Sequence, residues 1–254
     1  MRVLVAIKRV PITGGRIVLT EDARAIDTRH LGFTMSPHEE CGVEEAVRLI
    51  EANKGDSVVI TLGPAEAVEQ LRDAMALGLD RAIHLQTDGQ EWDGEATAEA
   101  LYDAINAEEA ANGRFDIIFF GNESADSGGF QVGIRVAGAL QRPCVTGLKK
   151  VTLEDSSVRC EQEVEGGRDV YLVPLPAVLT VKEGLNLPRY PSVPGKMRAR
   201  NKPVAVSTPR RPASHLELVS LAVPAGQGRR AESLGSGAAA APAVVDVLRK
   251  AGVL

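Results

Sequence analysis

A run of small and polar residues between Gly121 and Gly133 is the part of the chain best suited to bind a small ligand. It follows an apolar segment, residues 116–120, that predicts a buried strand, and it leads into a predicted helix over residues 129–140. The backbone N–H groups of such a loop can approach an anion, and the following helix N-terminus adds about half a positive charge. Gly128 and Gly129 permit the positive φ angles that a tight cradle can need. The chemistry would therefore be anion binding.

Other interpretations of this loop stay open. Asp126 could instead cap the following helix, and the residues alone favour an ordinary strand-to-helix connection. The loop is not a Walker loop, because no Gly-Lys-Ser/Thr follows it. It is not a typical dinucleotide fingerprint either, because that fingerprint belongs after the first strand of the sheet.

Titratable side chains elsewhere in the sequence form no convincing Ser-His-Asp, Cys-His or paired-carboxylate constellation. The four histidines show no metal-ligand spacing. Glu161, Glu163 and Glu165 alternate along a predicted strand, which favours one solvated face. Lys8 and Arg9 follow the first predicted strand, where they could neutralise the charge of an anionic ligand or simply be solvated.

Residues 184–202 form a second candidate site, for a protein partner. Pro188, Pro191 and Pro194 disfavour helix and remove ladder donors, so an extended, irregular loop is predicted here. The loop nevertheless carries large apolar side chains, and pre-ordering by proline would lower the entropic cost of docking. The alternative is a loop folded back over its own core. The candidate partner-binding residues are Leu187, Arg189, Tyr190, Val193 and Met197.

Strands and helices alternate over the first two-thirds of the chain. Apolar runs predict strands over residues 3–7, 57–62, 82–85, 116–120 and 176–181, the first of them covered on both faces. Helices are predicted after Ser36, which with Glu39 forms a capping box, after Gly63-Pro64, and over residues 97–105 and 129–140. Such alternation predicts an α/β fold with a mostly parallel sheet flanked by helices, whose ligands bind at the carboxyl ends of the strands.

The last third of the chain has a different pattern. Residues 148–181 alternate more, with a turn at residues 165–167, and predict an antiparallel addition at one sheet edge. Residues 204–235 are mixed and interrupted by Gly226, Gly228 and Gly235, residues 236–241 are linker-like, and residues 243–251 predict a short helix. We therefore expect an α/β domain over residues 1–203 and a C-terminal arm over residues 204–254. The arm would dock on its own domain or on a partner.

Composition narrows the class of protein. The net charge of −5 over 254 residues argues against a general nucleic-acid binder. The apolar runs are too short to span a bilayer and no signal peptide is recognised, so a protein that is not membrane-inserted is expected. Cys41, Cys144 and Cys160 are widely spaced, which fits a reducing, cytoplasmic location and argues against a disulfide framework or a structural zinc.

Several segments resemble, in collinear order, the beta subunit of electron transfer flavoproteins. The resemblance runs from residue 1 to about residue 205 and weakens beyond. It implies a Rossmann-like fold of the adenine nucleotide alpha hydrolase-like type. The matching segments are Val3-Leu4-Val5-Ala6-Ile7-Lys8-Arg9-Val10, Val43-Glu44-Glu45-Ala46-Val47-Arg48-Leu49, Gly63-Pro64, residues 74–84, Pro176-Ala177-Val178-Leu179-Thr180, Leu185-Asn186-Leu187-Pro188-Arg189-Tyr190 and Pro194-Gly195-Lys196-Met197-Arg198-Ala199.

The resemblance implies a bound AMP, held by the ends of the first two central strands, the start of the second helix of the family and the loop after residue 120. The contacts carried over in this way are Ala6, Ser36, Pro37, His38, Glu39, Leu62, Gly121, Asn122, Glu123, Ser124, Ala125, Asp126, Ser127, Gly128, Gly129, Phe130, Gln131 and Val132.

This chain departs from the family pattern at several of these positions. Ser127-Gly128-Gly129 replaces both the acidic run of AMP-binding members and the Gly-Asp-Thr of members that bifurcate electrons, whereas Val132 follows the bifurcating type. We therefore expect AMP, with a second FAD or an empty structural loop as alternatives. Gln162 stands where the family has a basic residue, and Val193 stands where the docking anchor is usually leucine. The smaller anchor suggests a tighter or different partner pocket.

The resemblance implies a heterodimer with an alpha subunit that carries most of an FAD site. The chain would then be an electron carrier subunit without a catalytic acid, base or nucleophile, not an enzyme. It would serve flavin-dependent dehydrogenases, such as acyl-CoA dehydrogenases, and an acceptor such as a membrane quinone reductase. A non-redox adenine-nucleotide-binding protein is another possibility. An adenylating enzyme fits less well, because Lys8-Arg9-Val10-Pro11 occupies the position of its Ser-Gly-Gly-x-Asp-Ser loop.

Overall fold

The computed structural model describes residues 1–14, 17–224 and 232–254. Its strands are β1 (Arg2–Ala6), β2 (Arg9–Pro11), β3 (Phe33–Met35), β4 (Asp56–Gly63), β5 (Arg81–Gln86), β6 (Ile117–Gly121), β7 (Cys144–Glu154), β8 (Ser157–Val164), β9 (Gly167–Pro174), β10 (Ala177–Val181) and β11 (Val204–Ser207). Its α-helices are α1 (Pro37–Asn53), α2 (Val68–Leu77), α3 (Gly94–Asn112), α4 (Val132–Ala139), α5 (Val193–Ala199) and α6 (Ala241–Lys250). Two 3-10 turns, Ala65–Ala67 and Gly237–Ala240, precede α2 and α6.

Nine strands form one sheet in the order β11-β5-β4-β1-β6-β10-β7-β8-β9. Pairing is parallel from β11 to β7, and β7, β8 and β9 add to that edge as an antiparallel meander. A separate antiparallel ladder joins β2 and β3. The predicted fold class, a mostly parallel sheet flanked by helices with an antiparallel addition, is therefore confirmed.

Alternate residues of β1 enter two different cores, which explains why its sequence is continuously apolar. Val3 and Val5 pack into the cluster that includes α1 and α2, and Leu4 and Ala6 pack into the cluster that includes α3 and α4. A strand covered on both faces needs apolar side chains at every position. The buried strand predicted over residues 176–181 is β10, which lies between β6 and β7 in the middle of the sheet.

The order of the strands places a topological switch point between β1 and β6. From β1 the chain builds outward through β4 and β5, and it then returns to β6 on the other side of β1. In open α/β sheets the crevice at the carboxyl ends of such strands is the common place for a ligand. This crevice is where the loop after β6 meets the start of α1.

Three predictions of local structure were wrong. Residues 193–199 of the predicted irregular loop form helix α5, because Pro194 lies in the first turn, where proline is tolerated, and the Ser192 side chain accepts a hydrogen bond from Gly195 N–H at 3.1 Å. The predicted linker over residues 236–241 is largely the 3-10 turn before α6. Glu161 does not share a solvated face with Glu163, because it is buried beneath three cations.

The environment of Glu161 explains that last error. Its carboxylate lies 3.2 Å from Lys150 Nζ and 3.1 Å from Arg168 Nη1, and its side chain is 11% exposed. Neighbouring strands supply these two cations, which the spacing within β8 cannot reveal, and Arg159 of β8 itself adds a third at 3.8 Å.

The sheet also extends into the predicted C-terminal arm. β11 (Val204–Ser207) pairs in parallel with β5 and forms one edge of the main sheet. Arg211 then donates to Gln90 and to the Glu91 carbonyl at 2.9 and 2.6 Å. Residues 225–231 of the predicted arm, including Gly226 and Gly228, lie outside the described residues.

Candidate functional site

A pocket of about 470 Å³ lies at the switch point of the sheet. Its walls come from the start of α1, the loop after β6 and Glu183, which lies just after β10. The lining residues are Ser36, Pro37, His38, Glu123, Ser124, Ala125, Asp126, Ser127, Gly128 and Glu183. All except Glu183 belong to the set predicted from sequence.

Glu39 fixes the start of α1 beside this pocket. Its Oε2 atom accepts hydrogen bonds from Lys8 N–H at 2.8 Å and from Ser36 N–H at 3.3 Å. The second bond is the glutamate half of the predicted capping box. Burial raises the pKa of Glu39 to about 8, although both backbone N–H groups and Lys8 act in the opposite direction. A buried carboxyl group thus ties the end of β1 to the first turn of α1.

Gly121, at the end of β6, is required by this arrangement. A Cβ atom at Gly121 would lie 2.8 Å from Glu39 Cγ, which is closer than side chains tolerate, and 3.4 Å from His38 Cβ. The missing side chain therefore lets β6 approach α1. This close approach brings residues 36–39 to the loop that begins at residue 122.

An ion pair fastens the loop after β6 to the end of β1. Lys8 Nζ lies 2.7 Å from Asp126 and 2.7 Å from Glu91. Burial lowers the pKa of Lys8, but the two carboxylates outweigh that effect and hold this pKa above its usual value. Asp126 therefore pairs with Lys8, and the alternative that it caps a helix is wrong, since α4 begins only at Val132 with Gln131 as its cap residue.

The loop itself turns tightly between residues 124 and 130. Gly128 has a φ of +57°, which glycine permits, whereas Gly129 has no positive φ, and Phe130 adopts +55° without being glycine. The Ser124 and Ser127 hydroxyls are 2.8 Å apart, and Gly128 N–H donates to the Ser124 carbonyl at 3.0 Å. The turn directs residues 123–128 toward the pocket, whereas Phe130 is half-exposed outside it.

His38 presents its imidazole to the pocket. Its Nδ1 atom is buried and has no hydrogen-bond partner among the described residues, and its Nε2 atom lies 4.0 Å from Glu123 Oε1. Burial lowers the pKa of His38, and the carboxylates of Glu123 and Glu183 act against that shift. A neutral imidazole with an unused ring nitrogen can donate to or accept from a ligand.

The other predicted contacts lie around the pocket rather than in its wall. Ala6 ends β1 and Leu62 lies near the end of β4, beside the switch point. Asn122 Oδ1 accepts from the Thr180 hydroxyl at 2.9 Å. Gln131 occupies the N-cap position of α4 without a side-chain capping bond, and its Oε1 atom accepts from Arg135 at 2.8 Å. Gly129, Phe130 and Val132 lead from the loop into α4.

Sequence reasoning missed Glu183. This residue follows β10, whose carboxyl end lies next to that of β6 in the parallel sheet. The signal was present, because the run over residues 176–181 predicts a strand whose end faces the same edge. Only the strand order, however, reveals that β10 lies beside β6.

The second candidate site is the segment over residues 184–202, which we call the docking segment. Four of its apolar side chains are strongly exposed: Leu187 is 91% exposed, Tyr190 96%, Val193 73% and Met197 64%. For these four the alternative of folding back over the core is wrong, whereas Leu185 does pack against the core. Arg189, in contrast, binds Glu44 and Glu51 of α1 within the same chain.

Comparison with known proteins gives the family. A family model described as the electron transfer flavoprotein domain matches residues 24–211. The chain is 34% identical over 206 residues to the electron transfer flavoprotein subunit beta of Bacillus subtilis, covering 80% of this chain and 77% of that protein. The human subunit beta is 35% identical over 210 residues, with 82% of each chain covered. That of Syntrophomonas wolfei is 35% identical over 225 residues, covering 88% and 86%.

The chain belongs to the electron transfer flavoprotein beta-subunit family. The family resemblance stated from the sequence is thereby confirmed, as is its assignment to flavoprotein electron transport. Membership in a family of beta subunits also implies an alpha-subunit partner.

The thiols of Cys144 and Cys160 are partly or fully buried. Burial raises the pKa of Cys144 to about 11 and that of Cys160 to about 12, so both thiols stay protonated near neutral pH. Within the described ranges, no cluster of three or more His, Cys, Asp or Glu side chains could hold a metal ion. Among the helices of those ranges, none is long and apolar enough to cross a membrane.

Proposed function

We propose that the chain is the beta subunit of a heterodimeric electron transfer flavoprotein, and that it binds AMP in the pocket at the start of α1. With the alpha subunit it completes an FAD site. Electrons pass from flavin-dependent dehydrogenases, such as acyl-CoA dehydrogenases, to an acceptor such as a quinone reductase. One observation carries the proposal: residues 36–38 and 123–128, far apart in the sequence, face one pocket.

The chemistry of this pocket suits a nucleoside monophosphate. A volume of about 470 Å³ lies within the range of roughly 300–1,000 Å³ that is usual for small-ligand sites. The N-terminus of the 17-residue helix α1 favours an anionic group such as a phosphate. The carboxylates of Glu123 and Glu183 suit ribose hydroxyls, which donate hydrogen bonds, and His38 can donate or accept.

The chain supplies binding and position in this scheme. FAD, when bound, supplies the redox chemistry, and the protein sets its surroundings. In the chain itself, Glu39 holds the start of α1, Lys8 holds the loop after β6 through Asp126, and Gly121 allows the two to approach. These contacts keep the pocket in one shape. The proposal is therefore of a carrier subunit, without a catalytic acid, base or nucleophile of its own.

The nucleotide assignment is tested on the heterodimer with its alpha subunit. Chromatography of the nucleotides released by denaturation should give one FAD and one AMP per heterodimer. Ala125→Trp should fill the pocket and remove the AMP while leaving the FAD, whereas Ala110→Trp, on the exposed face of α3, should keep both. Two FAD and no AMP would show an electron-bifurcating type instead. No nucleotide at all would refute the site.

The partner assignment is tested at the exposed valine of the docking segment. Val193→Asp places a charge where an apolar contact is proposed, so it should weaken electron transfer from the dehydrogenase and leave the bound nucleotides in place. Val193→Leu is the matched control, because it keeps the side chain apolar and adds one methylene, worth about 0.8 kcal/mol if buried. Unchanged transfer in the aspartate variant would refute docking at this position.

A further inference from the structure

The docking segment is held at its start by α1. Asn186 Nδ2 donates to the Cys41 carbonyl at 3.0 Å and to Glu45 Oε2 at 2.9 Å. Cys41 and Glu45 are one helical turn apart, so the Asn186 amide binds two residues on the same face of α1. The neighbouring Leu187 is nevertheless 91% exposed.

Arg189 makes the second and larger contact with α1. Its backbone N–H and its Nε atom donate to Glu44 Oε2 at 3.1 and 2.9 Å, and its Nη2 atom donates to Glu44 Oε1 at 3.0 Å. The same guanidinium reaches Glu51 at 2.7 and 3.0 Å. The Glu44 side chain is only 6% exposed, whereas that of Glu51 is 58% exposed. Glu44 is therefore the buried carboxylate that binds Arg189 of the docking segment.

The far end of the segment is held by α2. Lys202 Nζ donates to the carbonyls of Met75 and Leu79 at 3.0 and 2.6 Å, at the C-terminal end of that helix. Arg72 Nη1 donates in return to the carbonyls of Ala199 and Lys202. These are charge-assisted bonds to backbone carbonyls at or just beyond the C-terminal ends of α2 and α5.

Helix α5 also packs closely on α2. A Cβ atom at Gly195 would lie 2.6 Å from the Ala76 carbonyl oxygen, so the two backbones approach as near as glycine allows. The segment is thus fixed on α1 at one end and on α2 at the other. Between these anchors, Tyr190 and Val193 project outward at 96% and 73% exposure.

We infer that Glu44 and Arg189 are positioning residues for partner docking. They hold the docking segment in its binding shape before a dehydrogenase arrives. Arg189 acts inside the chain and not as a contact with the partner. A segment ordered in advance loses less conformational entropy on binding. The inference rests on the proposed docking function and names the residues that make the docking surface rigid.

The test compares two carboxylates that bind the same guanidinium. In the heterodimer, Glu44→Gln should speed hydrogen exchange over residues 184–192 and raise the KM of the dehydrogenase for the carrier about tenfold, with kcat nearly unchanged, because a buried charge-assisted contact is lost. Glu51→Gln should change the KM less than threefold, because that carboxylate is exposed. The bound nucleotides should stay at wild-type levels in both variants.

A double-mutant cycle provides the control. Glu44→Gln and Arg189→Gln should each raise the KM, and the double variant should raise it little further than either single variant, a coupling that a general loss of folding would not give. Unchanged exchange and KM in Glu44→Gln, with transfer still weakened by Val193→Asp, would overturn the positioning role and leave docking intact. An unchanged KM in both Glu44→Gln and Val193→Asp would overturn docking itself.

Discussion

Gly133 offers a sharp test of how the pocket is built, because it lies where α4 crosses the sheet. A Cβ atom there would lie 2.9 Å from Thr180 Cγ2 and 3.1 Å from Phe120 Cγ. Both neighbours are buried side chains of β10 and β6, so neither can move freely. Gly133→Ala should therefore push α4 outward and shift the loop that precedes it.

The loss of stability in Gly133→Ala can be compared with a control substitution, Gly138→Ala, in the same helix. Alanine is the better helix former by up to about 1 kcal/mol, and Gly138→Ala should show this gain, because its Cβ atom would meet no atom of the described residues within 4 Å. Gly133→Ala makes the same change of residue but adds overpacking, which costs roughly 1–3 kcal/mol. The difference between the two variants in the free energy of unfolding should therefore be about 1–3 kcal/mol.

Urea unfolding of the two variants measures this difference directly, and the AMP content of the heterodimer reports the shift of the loop. We expect Gly133→Ala to be the less stable variant and to release AMP more readily than Gly138→Ala. Equal stability and equal nucleotide content in the two variants would refute the close packing of α4 on β6 and β10.

Two further predictions follow from buried charge. Burial raises the pKa of Glu39 from an ordinary 4.5 to about 8. The stabilisation that this group contributes is therefore fully present below its unfolded pKa and is lost as the pH rises toward its folded pKa. The free energy of unfolding of the wild-type protein, measured with urea, should thus fall by about 1.4 kcal/mol per pH unit within that window relative to the Glu39→Gln variant. Parallel pH profiles of the two proteins would contradict this expectation. Glu109→Ala should cost roughly 3–5 kcal/mol by urea unfolding, because it strips the 2.6 Å ion pair from Arg142, whose side chain is 2% exposed. Arg29→Ala should cost less than about 1 kcal/mol, since Arg29 is 81% exposed, and equal losses would count against the burial argument.

Most of the strands and helices could be predicted from the sequence because the patterns that indicate them involve residues close together in the chain. Mainly apolar runs predicted β1, β4, β5, β6 and β10, and the continuous apolar run of β1 is what a strand covered on both faces favours. Ser36 and Pro37 gave the start of α1, since capping depends on adjacent residues. The error at α5 had a local cause as well, because proline was treated as a helix breaker at a position in the first turn where it is tolerated.

The site was readable only in part. The loop between Gly121 and Gly133 was found because small residues after a strand are a local pattern. The start of α1 was placed beside it only through the family resemblance. The Lys8–Asp126 ion pair and the approach of Glu183 were not predicted, since both depend on which strands lie side by side in the sheet. Likewise, no spacing relates Arg189 to Glu44, which meet across the surface of α1.

The sequence by itself determined the family, the alternation of strands and helices, and the residue types available at the two candidate sites. These properties depend on neighbours along the chain and on side-chain chemistry. The tertiary structure decided the strand order, the switch point at β1 and β6, and the use of Lys8 and Arg189 as internal anchors. The physical reason is that an ion pair or a pocket is defined by distances of a few ångströms between segments, and those distances exist only once the sheet has brought the segments together.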